Sequence, residues 1–242
     1  QIRKMSSECV EAGAGFVVFP EFSDFLSPDH RLMRKSAEPQ RGEFVDFLTS
    51  LSVSLGGIMI VAGFVEEHSG NYFSTVAVVS SEEVSYRRKL HLYNAHGGGE
   101  GNWLSAGQDA STPTQLSSAP SIGVTICYDL RFPEAALAQR LQGAEVLVVP
   151  AAWYPGKYKK RHWDTLLRAR AIESQLWTVG VGQASPLGTG NSRVFDPLGG
   201  RVVKMGRGPE SAVVTLDLDL TTSARDSNDM ELARANRNAT SA

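Results

Sequence analysis

Three short apolar runs, each ending abruptly in an unusual residue cluster, restrict this chain more than any other feature. Phe16, Val17, Val18 and Phe19 run into Pro20-Glu21-Phe22, residues 122–126 into Cys127-Tyr128-Asp129, and residues 146–149 into Pro150-Ala151-Ala152-Trp153. Continuous apolar stretches of this length mark strands covered on both faces, as in layered α/β proteins with parallel sheets. In such sheets ligands gather beyond the carboxyl ends of the strands, which is where all three clusters fall.

Helical spacing fills the intervals. Phe44, Phe47, Leu48, Leu51 and Leu55 follow the 3.6-residue period and stop at Gly56-Gly57. Residues 133–142 and 159–174 also read as helices, the second with Trp163, Leu167 and Ala171 on one stripe. Residues 58–64, 71–79, 83–89, 176–181, 192–196, 201–205 and 212–218 read as further strands, with Ser80-Ser81-Glu82 turning between two of them. Alternation of strands and helices predicts an α/β layered fold, in a single domain over residues 1–242. Residues 1–12 read as a helix running into the strand at Phe16, so the chain opens inside a βα unit and a preceding strand is expected upstream. Residues 90–120 lack a pattern, and a loop of that length in a compact domain is more often functional than idle. The tail from Thr221 is polar, with one short helix.

Charge excludes several classes of partner. The 24 Lys and Arg nearly balance the 26 Asp and Glu, so nucleic acid and anionic membranes have no electrostatic claim on the chain. No apolar run approaches the ~20 residues that span a bilayer, and residues 1–5 carry no signal-peptide core. The two cysteines, Cys9 and Cys127, need not pair in a chain of this size, and a reducing, cytoplasmic setting is expected.

Cys127 closes one strand just before a turn and a helix starting near Pro133, an arrangement that points a side chain outward and aims backbone N–H groups at it. A small buried core residue is the bland alternative. Glu21, between Pro20 and Phe22, sits in apolar surroundings that favour its neutral form and suit a general base for a thiol. Lys89 ends the stretch Tyr86-Arg87-Arg88-Lys89; it is either a charged edge-strand lysine or the cation that stabilises thiolate and oxyanion. Glu100, in Gly97-Gly98-Gly99-Glu100-Gly101, reads as a carboxylate delivered by a flexible wall; no Gly-Lys-Ser/Thr supports phosphate binding. Tyr128, Trp153 and Tyr154 are candidates to line a substrate pocket. Arg131, Lys157 and Arg193 are candidates to meet a substrate carboxylate, against the commoner reading of solvated surface charge. The histidines at 30, 68, 91, 96 and 162 form no His-Glu-x-x-His pattern and pair with no cysteine, so no metal and no cofactor is called for.

Phe19-Pro20-Glu21, Arg88-Lys89-Leu90-His91-Leu92 and Ile126-Cys127-Tyr128-Asp129-Leu130-Arg131-Phe132-Pro133-Glu134 together resemble the three signature segments of the nitrilase (carbon–nitrogen hydrolase) superfamily, in the same order. Gly143-Ala144-Glu145, Pro150-Ala151-Ala152-Trp153, His162-Trp163, Arg168 through Glu173 and Asp196-Pro197-Leu198-Gly199 extend the similarity over nearly the whole chain. The resemblance is greatest to the omega-amidase and deaminated glutathione amidase branch. It implies a four-layer αββα sandwich and subunits that pair through helices into a homodimer or higher homo-oligomer. It also implies Glu21 as general base, Lys89 as oxyanion stabiliser, Cys127 as nucleophile and Glu100 as the second family glutamate. The expected reaction is hydrolysis of a small-molecule amide through a thioester. Nitrile hydrolysis or acyl transfer by the same residues, or a catalytically silent scaffold, are the alternatives. The family's first strand is not visible at Gln1.

Overall fold

Strands β1 (Phe16–Val18), β2 (Met59–His68), β3 (Asn71–Val79) and β4 (Val84–Arg88) form one sheet in that order, β1 parallel to β2 and the rest antiparallel. In a second sheet, β5 (Ile122–Val124), β6 (Val146–Ala151) and β7 (Trp177–Gly182) are parallel, and β8 (Arg193–Phe195) and β9 (Arg201–Lys204) return antiparallel. This computed structural model describes residues 1–94, 99–108, 113–114, 120–228 and 230.

Side-chain alternation assigns the layers. In β2 and β3, Met59, Val61, Val76 and Val78 face the second sheet and share one core with Val124, Ile126 and Val148. Their neighbours Ile60, Ala62, Phe64, Ala77 and Val79 point the other way, onto Val45, Leu48 and Leu51 of helix α3 (Glu43–Ser54) and partly buried Ile2 and Met5 of α1 (Ile2–Glu11). Beyond α1 and before α3 lies α2 (His30–Lys35), with Asp29 accepting from Arg31 N at 2.9 Å as its cap. The second sheet's far face is covered by α4 (Pro133–Leu141) and α5 (Lys159–Ser174), through Ala136 and the fully buried stripe Trp163, Leu167 and Ala171. The order is therefore helices, sheet, sheet, helices: the αββα sandwich that the alternation and the motifs pointed to. Each fully buried aliphatic or aromatic side chain here contributes about 1.5–3 kcal/mol relative to exposure.

Two elements differ from the sequence reading. Helix α2 has only six residues, too few for a period to show. Residues 212–218 do not form a strand: Val214, Leu216 and Leu218 pack on the core, yet the segment pairs with none of the described strands, and α6 (Leu218–Ser227) begins at its end with Asp217 as cap. Alternating apolar residues specify a face to bury, but a ladder also needs a neighbouring backbone. Close by, β1 has β2 as its one partner among the described strands. A cavity of about 730 Å³, lined by α1, β1, β7 and residues 208–216 among others, runs along that side of β1. No helix among the described residues is long and apolar enough to cross a membrane.

Candidate active site

Glu21, Lys89 and Cys127 all follow strand ends, and the fold brings them together. The chain leaves β1 at Val18 and folds across β2 where β2 carries Gly63: Ser23 N donates to Gly63 O at 2.7 Å and Gly63 N to Pro20 O at 3.1 Å. Gln183 Nε2, just past β7, donates to the carbonyls of Glu21 and Phe22 at 2.9 and 3.0 Å, clamping the turn from the second sheet. Phe22 takes φ 55°, a left-handed conformation unfavourable for a residue with a side chain. Cys127 (φ 49°) and Trp153 (φ 25°) do the same at the other two strand ends. Strain of about 1–3 kcal/mol per such residue persists only where the surroundings over-determine it, and it concentrates at functional sites.

The Glu21 carboxylate is fully buried and hydrogen-bonded through both oxygens. Oε1 accepts from Ser74 Oγ at 2.8 Å and from Lys89 Nζ at 3.0 Å, and Oε2 from Ala152 N at 2.9 Å. Lys89 follows β4, an edge strand, but its side chain is fully buried, which removes the solvated-edge reading. Its ammonium also donates to Glu100 Oε1 at 2.8 Å, and Glu100 Oε2 accepts from Tyr93 N at 2.8 Å. Glu100 opens a single 3-10 turn (Glu100–Asn102) and is 5 % exposed, so it is a buried partner of Lys89 rather than part of an open wall. The glycines at 97 and 98 lie outside the described residues.

Charges in this enclosed space act strongly on one another. Burial, the largest influence on Lys89, pulls its pKa down, but Glu100, Glu21 and Cys127 together hold it well above the usual lysine value, so the ammonium stays charged. Burial pushes Glu100 up against the pull of Lys89, with Glu21 adding to the rise. Burial also pushes the Cys127 thiol up, and Glu21 reinforces it, while Lys89 and the Trp153 backbone N–H oppose it. At rest the sulfur therefore holds its proton.

Cys127 opens a 3-10 turn (Cys127–Arg131), and the helix that follows begins only at Pro133. Asp129 ties this turn to the Lys89 segment: its carboxylate accepts from His91 N at 2.8 Å, Leu90 N at 3.3 Å and Ile126 N at 3.2 Å, and pairs with His91 Nδ1 at 2.9 Å. Arg170 Nε and Nη2 hold the Leu130 carbonyl at 3.1 and 2.9 Å. Sequence reasoning quoted Asp129 only within a motif and passed over Ser74, because nothing in one chain's order says which loops will be neighbours.

The pocket candidates ring this group. The Tyr154 hydroxyl is pushed up by burial and then by the charges of Glu21, Cys127 and Glu100. Tyr128 packs edge-on against Tyr93 at 5.1 Å and Phe132 at 5.6 Å. Trp153 is 2 % exposed, tilted against Trp163 at 5.0 Å and donating from Nε1 to Lys159 O at 2.9 Å. Arg131 stands over Trp153, whereas Lys157 is exposed. Arg193 is not surface charge: it is 1 % exposed and holds Asp164 Oδ1 at 2.7 Å and Met205 O at 2.7 Å. The 730 Å³ cavity is lined by none of Glu21, Lys89, Glu100 and Cys127, so its size says nothing about their chemistry. Among the described residues no group of three His, Cys, Asp or Glu is placed to hold a metal ion.

A sandwich with a buried cysteine and a shared Glu–Lys–Glu cluster at its strand ends is the frame of a hydrolase acting on carbon–nitrogen bonds, and this chain belongs to the carbon–nitrogen hydrolase family, whose sequence profile matches residues 1–226. Within that family its relatives include amidases. It is 36 % identical over 198 residues to the deaminated glutathione amidase of Escherichia coli O157:H7, covering 81 % of this chain and 75 % of that one. It is 31 % identical over 228 residues to the Homo sapiens protein of the same name, covering 88 % and 69 %. Its fold matches Saccharomyces cerevisiae Nit3, a member of branch 10 of the nitrilase superfamily, with a TM-score of 0.82 at 25 % identity over 95 % of this chain and 87 % of that one.

Proposed function

We propose that this protein hydrolyses the amide bond of a small molecule through a thioester on Cys127, releasing ammonia and a carboxylic acid. The observation that carries the reading is the buried ammonium of Lys89 bonded at once to Glu21 and Glu100, with the Cys127 thiol close enough to feel the charge of all three. Glu21 takes the thiol proton as sulfur attacks the amide carbonyl. The tetrahedral oxyanion is stabilised by Lys89 and by the backbone N–H of Tyr128; removal of one such donor typically costs about 3–4 kcal/mol in the transition state. Collapse breaks the C–N bond, Glu21 returns the proton to the departing nitrogen as ammonia, and the acyl group remains on sulfur. Water then attacks the thioester, giving its proton to Glu21 with Glu100 helping to place it, and collapse releases the acid and the thiol. Tyr128, Trp153 and Tyr154 line the acyl pocket.

Two further features complete the proposal. The protein acts in the cytoplasm, and it acts as a homodimer or higher homo-oligomer, which light scattering of the purified protein measures. Deaminated glutathione, named for the relatives, is the first amide to assay. Ammonia release with one equivalent of acid, lost in Cys127→Ala while the fold stays intact, is the expected result. Undiminished turnover by Cys127→Ala rules the scheme out; a hydroxamate trapped with hydroxylamine reports the thioester, and free acid formed in equal amount to ammonia when no added amine is present separates hydrolysis from acyl transfer.

A further inference from the structure

Lys159 opens α5 with its ammonium 4.3 Å from the centre of the Tyr93 ring and 5.4 Å from that of Trp153. Beside it the Arg131 guanidinium lies 5.2 Å from the Trp153 ring centre and 5.8 Å from that of Tyr128, with Nη2 3.3 Å from His162 Nδ1. Four other partly or wholly buried cations have carboxylate partners: Arg88 has Glu66, Lys89 has Glu21 and Glu100, Arg170 has Glu173, and Arg193 has Asp164. Among the described residues Lys159 and Arg131 pair with no carboxylate.

The position matters as much as the missing partner. The two rings under the Lys159 ammonium belong to residues whose backbones touch the reacting groups: Tyr93 N bonds Glu100, and Trp153 N faces the Cys127 thiol. Trp153 Nε1 in turn holds the Lys159 carbonyl, fixing the start of α5 against the pocket wall. An ammonium on aromatic faces is held by the ring quadrupoles while losing part of its hydration, which leaves its donors turned to whatever enters. Neighbouring Lys160 is exposed and has no ring contact.

We infer that Lys159 is a specificity-determining residue of this site, whose ammonium, seated on the Tyr93 and Trp153 rings, selects amides with an anionic end to the acyl chain over uncharged amides of the same length. The inference rests on the amide-hydrolase reading of Cys127. A carboxylate arriving there gains a charge-assisted hydrogen bond in a partly desolvated setting, the kind that outweighs an exposed ion pair.

Glutaramate and pentanamide, equal in chain length and differing in the terminal charge, provide the test on the purified protein and on Lys159→Met, Lys159→Arg and Lys160→Met. Lys159→Met should raise KM for glutaramate about tenfold, a change of ~1.4 kcal/mol, with kcat for it and kcat/KM for pentanamide held within about twofold. Lys159→Arg should recover most of the loss, and Lys160→Met should behave like the parent. Equal losses on both amides, or an unchanged preference in Lys159→Met, overturn the inference and leave the amidase reading standing. Alkylation of Cys127 by N-carboxyethylmaleimide and N-propylmaleimide reads the same charge preference without turnover. If neither amide is hydrolysed but Lys159→Met slows only the anionic reagent, the amidase reading fails and the role of Lys159 holds. Loss of rate with both reagents, or with neither, removes that role.

Discussion

Glu21 and Lys89 meet at 3.0 Å although they follow β1 and β4, the two outer strands of the four-stranded sheet. The contact exists because the turn after β1 does not continue beside its own strand but crosses β2, reaching Ser74 on β3 and the end of β4. Gly63 makes the crossing possible. A Cβ there would lie 2.6 Å from Glu21 Cα, 2.9 Å from Phe22 N and 3.0 Å from Pro20 O, all backbone atoms that cannot swing aside.

Gly63→Ala should therefore strike the site through geometry alone. Overpacking against backbone costs about 1–3 kcal/mol, and the displacement moves Glu21 off Lys89, Ser74 and Ala152 together. The expected outcome is a lower urea midpoint with an amidase rate depressed more than tenfold, on the order expected of a 1 Å misplacement of a catalytic group. An alanine variant with parental rate and midpoint would mean that the turn does not need this approach.

Removal of the shared cation is a different kind of lesion. Lys89→Met leaves the Glu21 and Glu100 carboxylates buried without their counter-charge and leaves Cys127 without the group that lowers its pKa. Breaking a buried pair in this way typically costs about 3–5 kcal/mol of stability, and loss of an oxyanion donor about 10²–10³ in kcat. Alkylation of Cys127 should shift to higher pH, since Lys89 opposes the rise of the thiol pKa. A pH profile of labelling that coincides with the parent's would limit Lys89 to a structural part.

The members of the buried cluster were more legible than their supports. Cys127, Glu21 and Lys89 stood out because an apolar run that ends in a polar cluster is visible in one dimension, and the strand-end rule then places such clusters at one edge. Gly63 and Ser74 lie inside strands whose neighbours depend on pairing, and β2 looked shorter than it is because its last residues, Glu66 to His68, are charged or polar. Arg193 read as surface charge because its partner Asp164 is on another element 29 positions away. Residues 212–218 have a strand's alternation and the burial of one face, but no strand beside them among the described residues. Local pattern reports a residue's preference for a face, and pairing is decided by what tertiary structure sets next to it.

Asp129 joins the Cys127 turn to the Lys89 segment with four contacts, none of them to the side chains of Glu21, Lys89 or Cys127. In the proposed reaction it is a positioning residue. Asp129→Ala leaves three backbone N–H groups of the site without their acceptor, each worth about 1–3 kcal/mol when buried. Turnover should fall mainly in kcat, and the charge preference between anionic and neutral amides should persist, because the Lys159 seat is formed by other residues. A variant that loses stability while kcat stays at the parental value would confine Asp129 to folding.

Asp24 gives the protein a pH dependence separate from its chemistry. Its Oδ2 accepts from Val65 N at 3.2 Å, while Oδ1 is buried with no hydrogen-bond partner among the described residues. Burial pushes its carboxyl up to about 7 from an ordinary value of 3.8, the Phe25 and Val65 backbone N–H groups acting against the rise and Glu38 with it. Between those two values the folded chain holds a proton that the unfolded chain has released, so stability falls as pH rises through the window and levels off above it. The shift sets an upper limit of about 4 kcal/mol on the loss. Asp24→Asn keeps an acceptor for Val65 N and removes the titration, so the parent should lose more stability than the variant between pH 4 and pH 8 in urea unfolding. Parallel losses in the two proteins would show that Asp24 is solvated enough to ionise freely in the folded state.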